Sequence, residues 1–481
     1  MPTFVRLTEY KNAEEKERGF FDPKNRYEAK QEDFFKIPGA PIAYWVSDRV
    51  REIFEKSEKL GNIGAVKQGL ATADNDRFRR DWQEVEFGKI ALKNTENKKW
   101  FPYNSGGEFR KWYGNQFYVV NWENDGYEIK NFEKSVVRNW QFYLKPSISW
   151  SKVSSGELAF RYYPENFIFD VAGCSVFTKD LKYIMAIMNS KLKDALLKPF
   201  SQTMNFEVGQ ISQFPILFPK SPETKQKIDE LTQECIDISK EEWDSRETSW
   251  DFKTNELIRL KTDSKKLEDA YNRYCNYWRE KFYKLHQNEE ELNRLFIEIY
   301  GLQDELTPDV PLEDITILKK EAKIIDGELV FDKKEIIKQF ISYAVGVMFG
   351  RYSLDHKGLH IADMEVGIEE ANKKFGIKEP TFAIDEDNII PVLEDNFFED
   401  DIVQKFKEFL KVSFGEQHFE ENLRFIEDAL GKSIRKYFVK DFYNDHIKRY
   451  KKRPIYWMIA SPNKSFQALL YMHRYQPDIF A

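Results

Sequence analysis

Residues 64–78 read GAVKQGLATADNDRF. Gly69 and the small residues beside it let a backbone come close to a partner. Lys67 and Arg77 carry the charge that meets a phosphate. Gln68, Thr72, Asp74, Asn75 and Asp76 carry donors and acceptors that match base edges. The two aspartates argue against a simple phosphate cradle. They either accept from an adenine or cytosine amino group or close an Asx turn, and the residues favour neither.

Two further stretches have the same character. Residues 98–111, KKWFPYNSGGEFRK, alternate basic and aromatic side chains around a glycine pair and offer Lys98, Lys99, Arg110 and Lys111. Residues 150–156, WSKVSSG, offer Trp150, Ser151, Lys152 and Ser154, and Arg161 follows. Basic, hydroxyl and aromatic groups on loops suit a nucleic-acid surface. They also suit β-hairpin turns with solvated lysines, and each stretch taken singly fits that plainer reading.

Enzyme signatures are missing. There is no phosphate-binding P-loop, no G-x-G-x-x-G, no G-x-S-x-G and no H-E-x-x-H. An amino-methyltransferase needs a short polar residue before Pro-Pro and an aromatic, to hold the target amine and stack on its base. No Asn-Pro and no Asp-Pro-Pro step occurs, and the nearest string, Phe101-Pro102-Tyr103, lacks the polar residue. The six histidines all fall in the second half and are dispersed, which is the pattern of structural side chains.

The elements that must hold these loops follow from periodicity. Residues 42–220 mix short aromatic and β-branched runs, such as QFYVVNW (116–122) and NFIFDV (166–171), with turn residues. Leu181, Ile184, Met185, Met188, Leu192, Ala195 and Leu196 step by three or four and predict one helix, with Asp180 placed to cap it. Beyond residue 222, Ile228, Leu231, Cys235 and Ile238 predict a long amphipathic helix. Leu267, Tyr271, Tyr274, Trp278, Phe282 and Leu285 predict another, and the two should pack as an antiparallel pair. Residues 301–481 are mostly helical, with a hairpin around SPNKS (461–465). The fold class is therefore α+β.

With 481 residues the chain is too long for one small core. No run approaches the roughly 20 apolar residues of a membrane span. The N-terminus lacks the pattern of a signal peptide. Three scattered cysteines without a C-x-x-C pair fit a reducing cytoplasm and no metal site. The formal charge is −7, but residues 1–220 hold 34 Lys and Arg against 29 Asp and Glu, and the remainder holds 40 against 52. A basic first half fits a nucleic-acid partner.

Several long motifs resemble the PglX family, the adenine-specific DNA methyltransferases of type 1 BREX phage-defence systems, which is related to type IIG restriction-modification enzymes. They are IPGAPIAYWVS (37–47), GLATADNDRF (69–78), WYGNQFYVVNWENDG (112–126), FIFDVAGCSVF (167–177) and MNFEVGQISQFPI (204–216). DSRETSWDF (244–252), YAVGVMFGRYSLD (343–355) and RPIYWMIASPNKSFQALLYMHRY (453–475) continue the likeness over nearly the whole chain. Ala73 stands where the family has glycine.

The resemblance implies that residues 1–36 are a remnant or linker from a catalytic domain. Residues 37–220 would be a DNA target recognition domain, with Asn205 joining the DNA-binding set. Residues 221–300 would be a helical spacer and 301–481 an α-rich C-terminal domain. It implies duplex DNA as partner, alongside a separate methyltransferase half and other BREX components. In the intact family protein, S-adenosylmethionine supplies a methyl group to the exocyclic amine of adenine; no cofactor is expected in this chain, and no activity from it alone. The rival expectation is a non-catalytic protein–protein scaffold, which the acidic second half favours.

Overall fold

A computed structural model describes residues 1–153, 157–199, 206–463, 465–477 and 479. Residues 1–36, which show no period in sequence, nevertheless form local structure. The strands Thr3–Val5 and Arg26–Glu28 pair antiparallel around the helix Ala13–Phe21, whose first turn is capped by Asn12.

Two four-stranded sheets dominate the next part. In the first, Ile168–Phe169, Trp100–Asn104, Tyr118–Asn121 and Arg79–Asp81 lie side by side. Its Ile168–Phe169 edge pair is parallel and its other pairs are antiparallel. The second sheet orders Ala65–Lys67, Ser175–Phe177, Ser147–Ser149 and Arg161–Tyr163, all antiparallel. Strands are short because turn residues cut every apolar run. The run predicted over 166–171 keeps only Ile168–Phe169 as strand, since Asn166 turns left-handed at φ 72°. The strand pair Glu58–Lys59 and Pro215–Ile216 brings the end of this region back to its beginning.

The helix predicted over 181–196 is broken in two, Leu181–Asn189 and Lys191–Leu197. At the break the Asn189 amide bonds both the N–H and the carbonyl of Phe160, each at 2.9 Å, and the Lys191 N–H donates to Asn293 at 2.9 Å. A tertiary contact thus replaces the helical bonds. Asp180 does not cap; its carboxylate faces Lys225 at 3.2 Å.

The long helices Pro222–Asp244 and Leu267–Tyr300 form the predicted antiparallel pair. Lys227 meets Glu291, Glu234 accepts from Asn288, and Glu241 meets Lys281, so the register runs in opposite senses. Ser221 and Pro222 start the first helix, and Gly301 at φ 65° stops the second. The C-terminal part packs Lys333–Met348 against Ile402–Phe414 and Phe419–Leu430, beside a sheet of Ile390–Pro391, Gln467–Tyr471 and Tyr456–Ala460. The latter two strands are the predicted hairpin around residues 461–465.

The secondary structure changes character near residues 220 and 300, but the core does not divide there. One apolar cluster runs from Ile37 through Trp278 and Phe340 to Tyr471. One smaller cluster serves the first sheet, around Leu70, Phe101 and Phe169, and another joins Val119 of that sheet to Tyr163 of the second, with Trp82 and Trp250.

Buried charges cross the same boundary. Arg110 donates to Glu242 at 2.5 Å and to the Tyr113 carbonyl at 2.6 Å. Glu242 also accepts from Arg246 and from the Leu318 N–H at 2.7 Å, and Arg246 reaches Glu321 at 2.7 Å. Lys111 donates to one oxygen of Glu289 and the Trp112 indole to the other, both at 2.7 Å. Burial drags the Arg110 guanidinium below its usual value despite Glu242. Burial also opposes charge on Lys111, yet Glu289 outweighs it and the net shift is upward. Removing one partner strands the other charge in a dry interior. Glu289→Ala should therefore cost about 3–5 kcal/mol of unfolding free energy by urea titration. A loss below about 1 kcal/mol, as for a surface pair, would contradict this.

Two of the three buried histidines, His446 and His473, illustrate how stability depends on pH. His446 Nε2 accepts from the N–H groups of Ile455 and Tyr456, each at 3.1 Å. Burial, with Arg449 nearby, holds it down to about 3. Burial and Arg351 hold His473 down to about 4. Both are neutral when folded, so their contribution is complete above the ordinary value of 6.5 and is lost as pH falls toward those folded values. Stability should fall between pH 7.5 and 5.5, by roughly 1 kcal/mol for each group. Equal urea midpoints at the two pH values would contradict the assignment.

Candidate nucleic-acid interface

The loop of residues 64–78 is built mainly from contacts with its own chain. A Cβ on Gly69 would fall 1.9 Å from the Phe169 carbonyl oxygen. The backbone comes that close because Leu70 N–H donates to Phe169 O at 2.9 Å and Gly69 N–H to Asp170 O at 3.2 Å. The close approach foreseen for Gly69 is thus to the edge of the first sheet. Thr72 is buried and donates to Asn75 at 2.8 Å. Asp74 accepts from the Arg77 N–H at 3.0 Å and caps the short helix Asn75–Phe78, which is the turn-building alternative of the two. Asp76 is exposed. Arg77 pairs with Glu128 at 2.5 Å. Ala73 holds the left-handed φ of 61°, the conformation glycine adopts without strain.

Several expected surface residues lie inside. Arg110 and Lys111 are the buried partners of Glu242 and Glu289 and present no charge to solvent. Trp150 is fully buried, with its indole N–H on the Phe206 carbonyl at 2.9 Å. Ser151 is buried and donates to Gly107 O at 2.8 Å. Arg161 is buried as well; it donates to Ser151 at 3.0 Å and to the Arg110 carbonyl at 3.2 Å. These corrections share a cause. The partners of Arg110 and Lys111 lie 132 and 178 residues away in sequence, so local composition reads their charge as free.

The remaining expected residues stay at the surface. Lys98 donates to the Gly88 carbonyl, Lys99 lies 4.0 Å from Glu123, and Lys152 faces Glu207 at 3.1 Å. Ser154 and Asn205 lie outside the described residues.

Residues 138–145, RNWQFYLK, were missed by sequence reasoning, although they interleave basic and aromatic side chains as 98–111 do. Asn139 turns left-handed at φ 53° and opens the single turn Trp140–Phe142. Its side chain donates to the Gln68 carbonyl at 2.8 Å. Ala71 and Val136 exchange backbone bonds at 3.0 and 2.8 Å, so this segment is pinned along the 67–71 loop.

Phe142 packs on Phe177 of the second sheet, ring centroids 4.9 Å apart. The ammonium groups of Lys67 and Lys145 lie 5.7 and 5.5 Å from the Phe142 centroid. Arg138 is exposed, and Trp140 is 67% exposed. Gln68, half-buried, donates to the Val171 carbonyl at 3.3 Å. Among the described residues, Lys67, Arg138 and Lys145 pair with no carboxylate. Three free cations on a pinned ridge can meet phosphates, and the Gln68 amide beside them can meet a base edge.

No comparable metal centre emerges among the described residues. Asp385, Asp387 and Asp400 come together, but Lys405 stands 3.1 Å from Asp385. No helix there is long and apolar enough to cross a membrane.

No family model matches the chain. It is 39% identical, over an alignment of 515 residues, to the adenine-specific methyltransferase PglX of Lacticaseibacillus casei (strain Zhang), covering 100% of this chain and 41% of that protein. It is 36% identical over 500 residues to the adenine-specific methyltransferase BrxX of Escherichia coli O9:H4 (strain HS), covering 98% of this chain and 40% of the relative. The chain thus spans about two fifths of the length of these relatives. Along its whole length the chain is similar to part of each of these two adenine-specific methyltransferases.

Proposed function

We propose that this chain is the duplex-DNA recognition part of a BREX adenine-specific methyltransferase and that the ridge of Lys67, Gln68, Arg138 and Lys145 faces the DNA. The carrying observation is the set of three cations without acidic partners on a rigid edge. Elsewhere in the same region, Arg77, Arg110, Lys111 and Lys152 are already neutralised. Both relatives are named adenine-specific methyltransferases, which supports an adenine-bearing substrate.

Methyl transfer from S-adenosylmethionine to adenine would be the work of another part of such a protein. This sequence carries neither a glycine-rich cofactor loop nor a polar residue before Pro-Pro. The excess of 52 acidic over 40 basic residues after residue 220 supports a protein-docking role there, with other defence components as partners. A cytoplasmic setting, where duplex DNA is met, fits the free and buried Cys174, Cys235 and Cys275.

Fluorescence anisotropy against salt tests the reading. Lys67→Ala, Arg138→Ala and Lys145→Ala should each weaken duplex binding and lower the log–log salt slope by about one. Arg77→Ala and Lys152→Ala should change the slope less, because their charges already have partners. An unchanged slope in the first three variants, with folding intact, would favour the scaffold.

A further inference from the structure

Trp140 is the most exposed tryptophan of this chain, ahead of Trp457 at 39%. Trp82, Trp112, Trp150 and Trp278 are fully buried, whereas Trp140 is 67% exposed. Among the described residues its indole makes no hydrogen bond and no ring contact. A single exposed apolar side chain is ordinary on a protein surface; what sets Trp140 apart is how firmly its backbone is held. Asn139 takes a left-handed conformation just before it and ties its side chain to Gln68. The Phe142 N–H closes the turn onto Asn139 O at 3.0 Å, and Phe142 itself is seated on Phe177. The indole is therefore presented at little cost in ordering when a partner arrives.

The surroundings select the partner. Trp140 stands in a segment with Arg138 and Lys145, with Lys67 against the same Phe142 ring, and among the described residues none of these three cations pairs with a carboxylate. A flat aromatic among cations is what stacks on a base while its neighbours hold the flanking phosphates. Val136, 41% exposed, adds a second apolar group to the same ridge.

We propose that Trp140 stacks on an unpaired or unstacked base, so that this ridge takes DNA opened at one step in preference to uniform duplex. The inference rests on the ridge facing DNA. It adds that sequence would be sensed partly through how easily a step unstacks.

The test compares a matched duplex with the same duplex carrying one unpaired 2-aminopurine. The wild-type chain should bind the second about tenfold more tightly, a modest value for one base–aromatic stack. Its binding should also quench the 2-aminopurine fluorescence. Trp140→Ala should lose the preference and the quenching while keeping the wild-type salt slope on matched duplex. Trp140→Phe should restore part of both. Circular dichroism would confirm that both variants fold. Equal affinities for the two duplexes, or a preference that survives in Trp140→Ala, would overturn the inference and leave the DNA-facing ridge standing. In that case Trp140 is free to anchor a protein. Absence of salt-dependent binding by the wild-type chain would instead overturn the ridge assignment, and this inference with it.

Discussion

The arrangement depends on the carboxylates of Glu242 and Glu289, buried in the long helix pair, and on the cations they hold. Glu242 binds Arg110, Arg246 and the Leu318 N–H, and Glu289 binds Lys111 and the Trp112 indole. Such groups are costly to bury and more costly to separate, so each fixes its partner's backbone closely. Trp112 then donates its N–H to Phe160 O at 2.9 Å and accepts from Tyr162 N–H at 2.8 Å. This sets the strand Arg161–Tyr163 and, through the sheet, Ser147–Ser149, Ser175–Phe177 and Ala65–Lys67. Phe177 seats Phe142, and the ammonium groups of Lys67 and Lys145 lie 5.7 and 5.5 Å from the Phe142 centroid. A continuous run of contacts therefore connects the helix pair to the exposed ridge.

Several cations of the first part are engaged by acidic partners, Arg77 by Glu128, Arg110 by Glu242, Lys111 by Glu289 and Lys152 by Glu207. Among the described residues Lys67, Arg138 and Lys145 have no such partner and stand on one ridge. The net charge of −7 arises after residue 220, where 52 acidic residues face 40 basic ones, whereas residues 1–220 hold 34 basic against 29 acidic. That asymmetry favours approach of phosphates from the side of the first part.

Periodic features were legible in the sequence because their cause is local. The apolar steps from Ile228 to Ile238 and from Leu267 to Leu285 gave the two long helices and their buried faces. The β-rich runs around residues 461–465 gave the hairpin. What escaped depended on distant partners. Asn293 takes the Lys191 N–H at the helix break from 102 residues away. Glu242 and Glu289 turn Arg110 and Lys111 inward. Gly69 answers to the Phe169 carbonyl rather than to a ligand. The ridge of 138–145 met the criterion of interleaved charge and aromaticity but adjoins Lys67 only in the folded chain, through the Asn139–Gln68 and Ala71–Val136 contacts.

The central claim is that the DNA-facing surface is this ridge. Amide hydrogen exchange of the whole chain, with and without duplex DNA at saturating concentration, tests it most directly. The account predicts slowed exchange on DNA binding in residues 65–72 and 136–145. Exchange in the long helices and in 402–449 should not change. Protection confined to residues 221–481, with 65–72 and 136–145 unaltered, would contradict it.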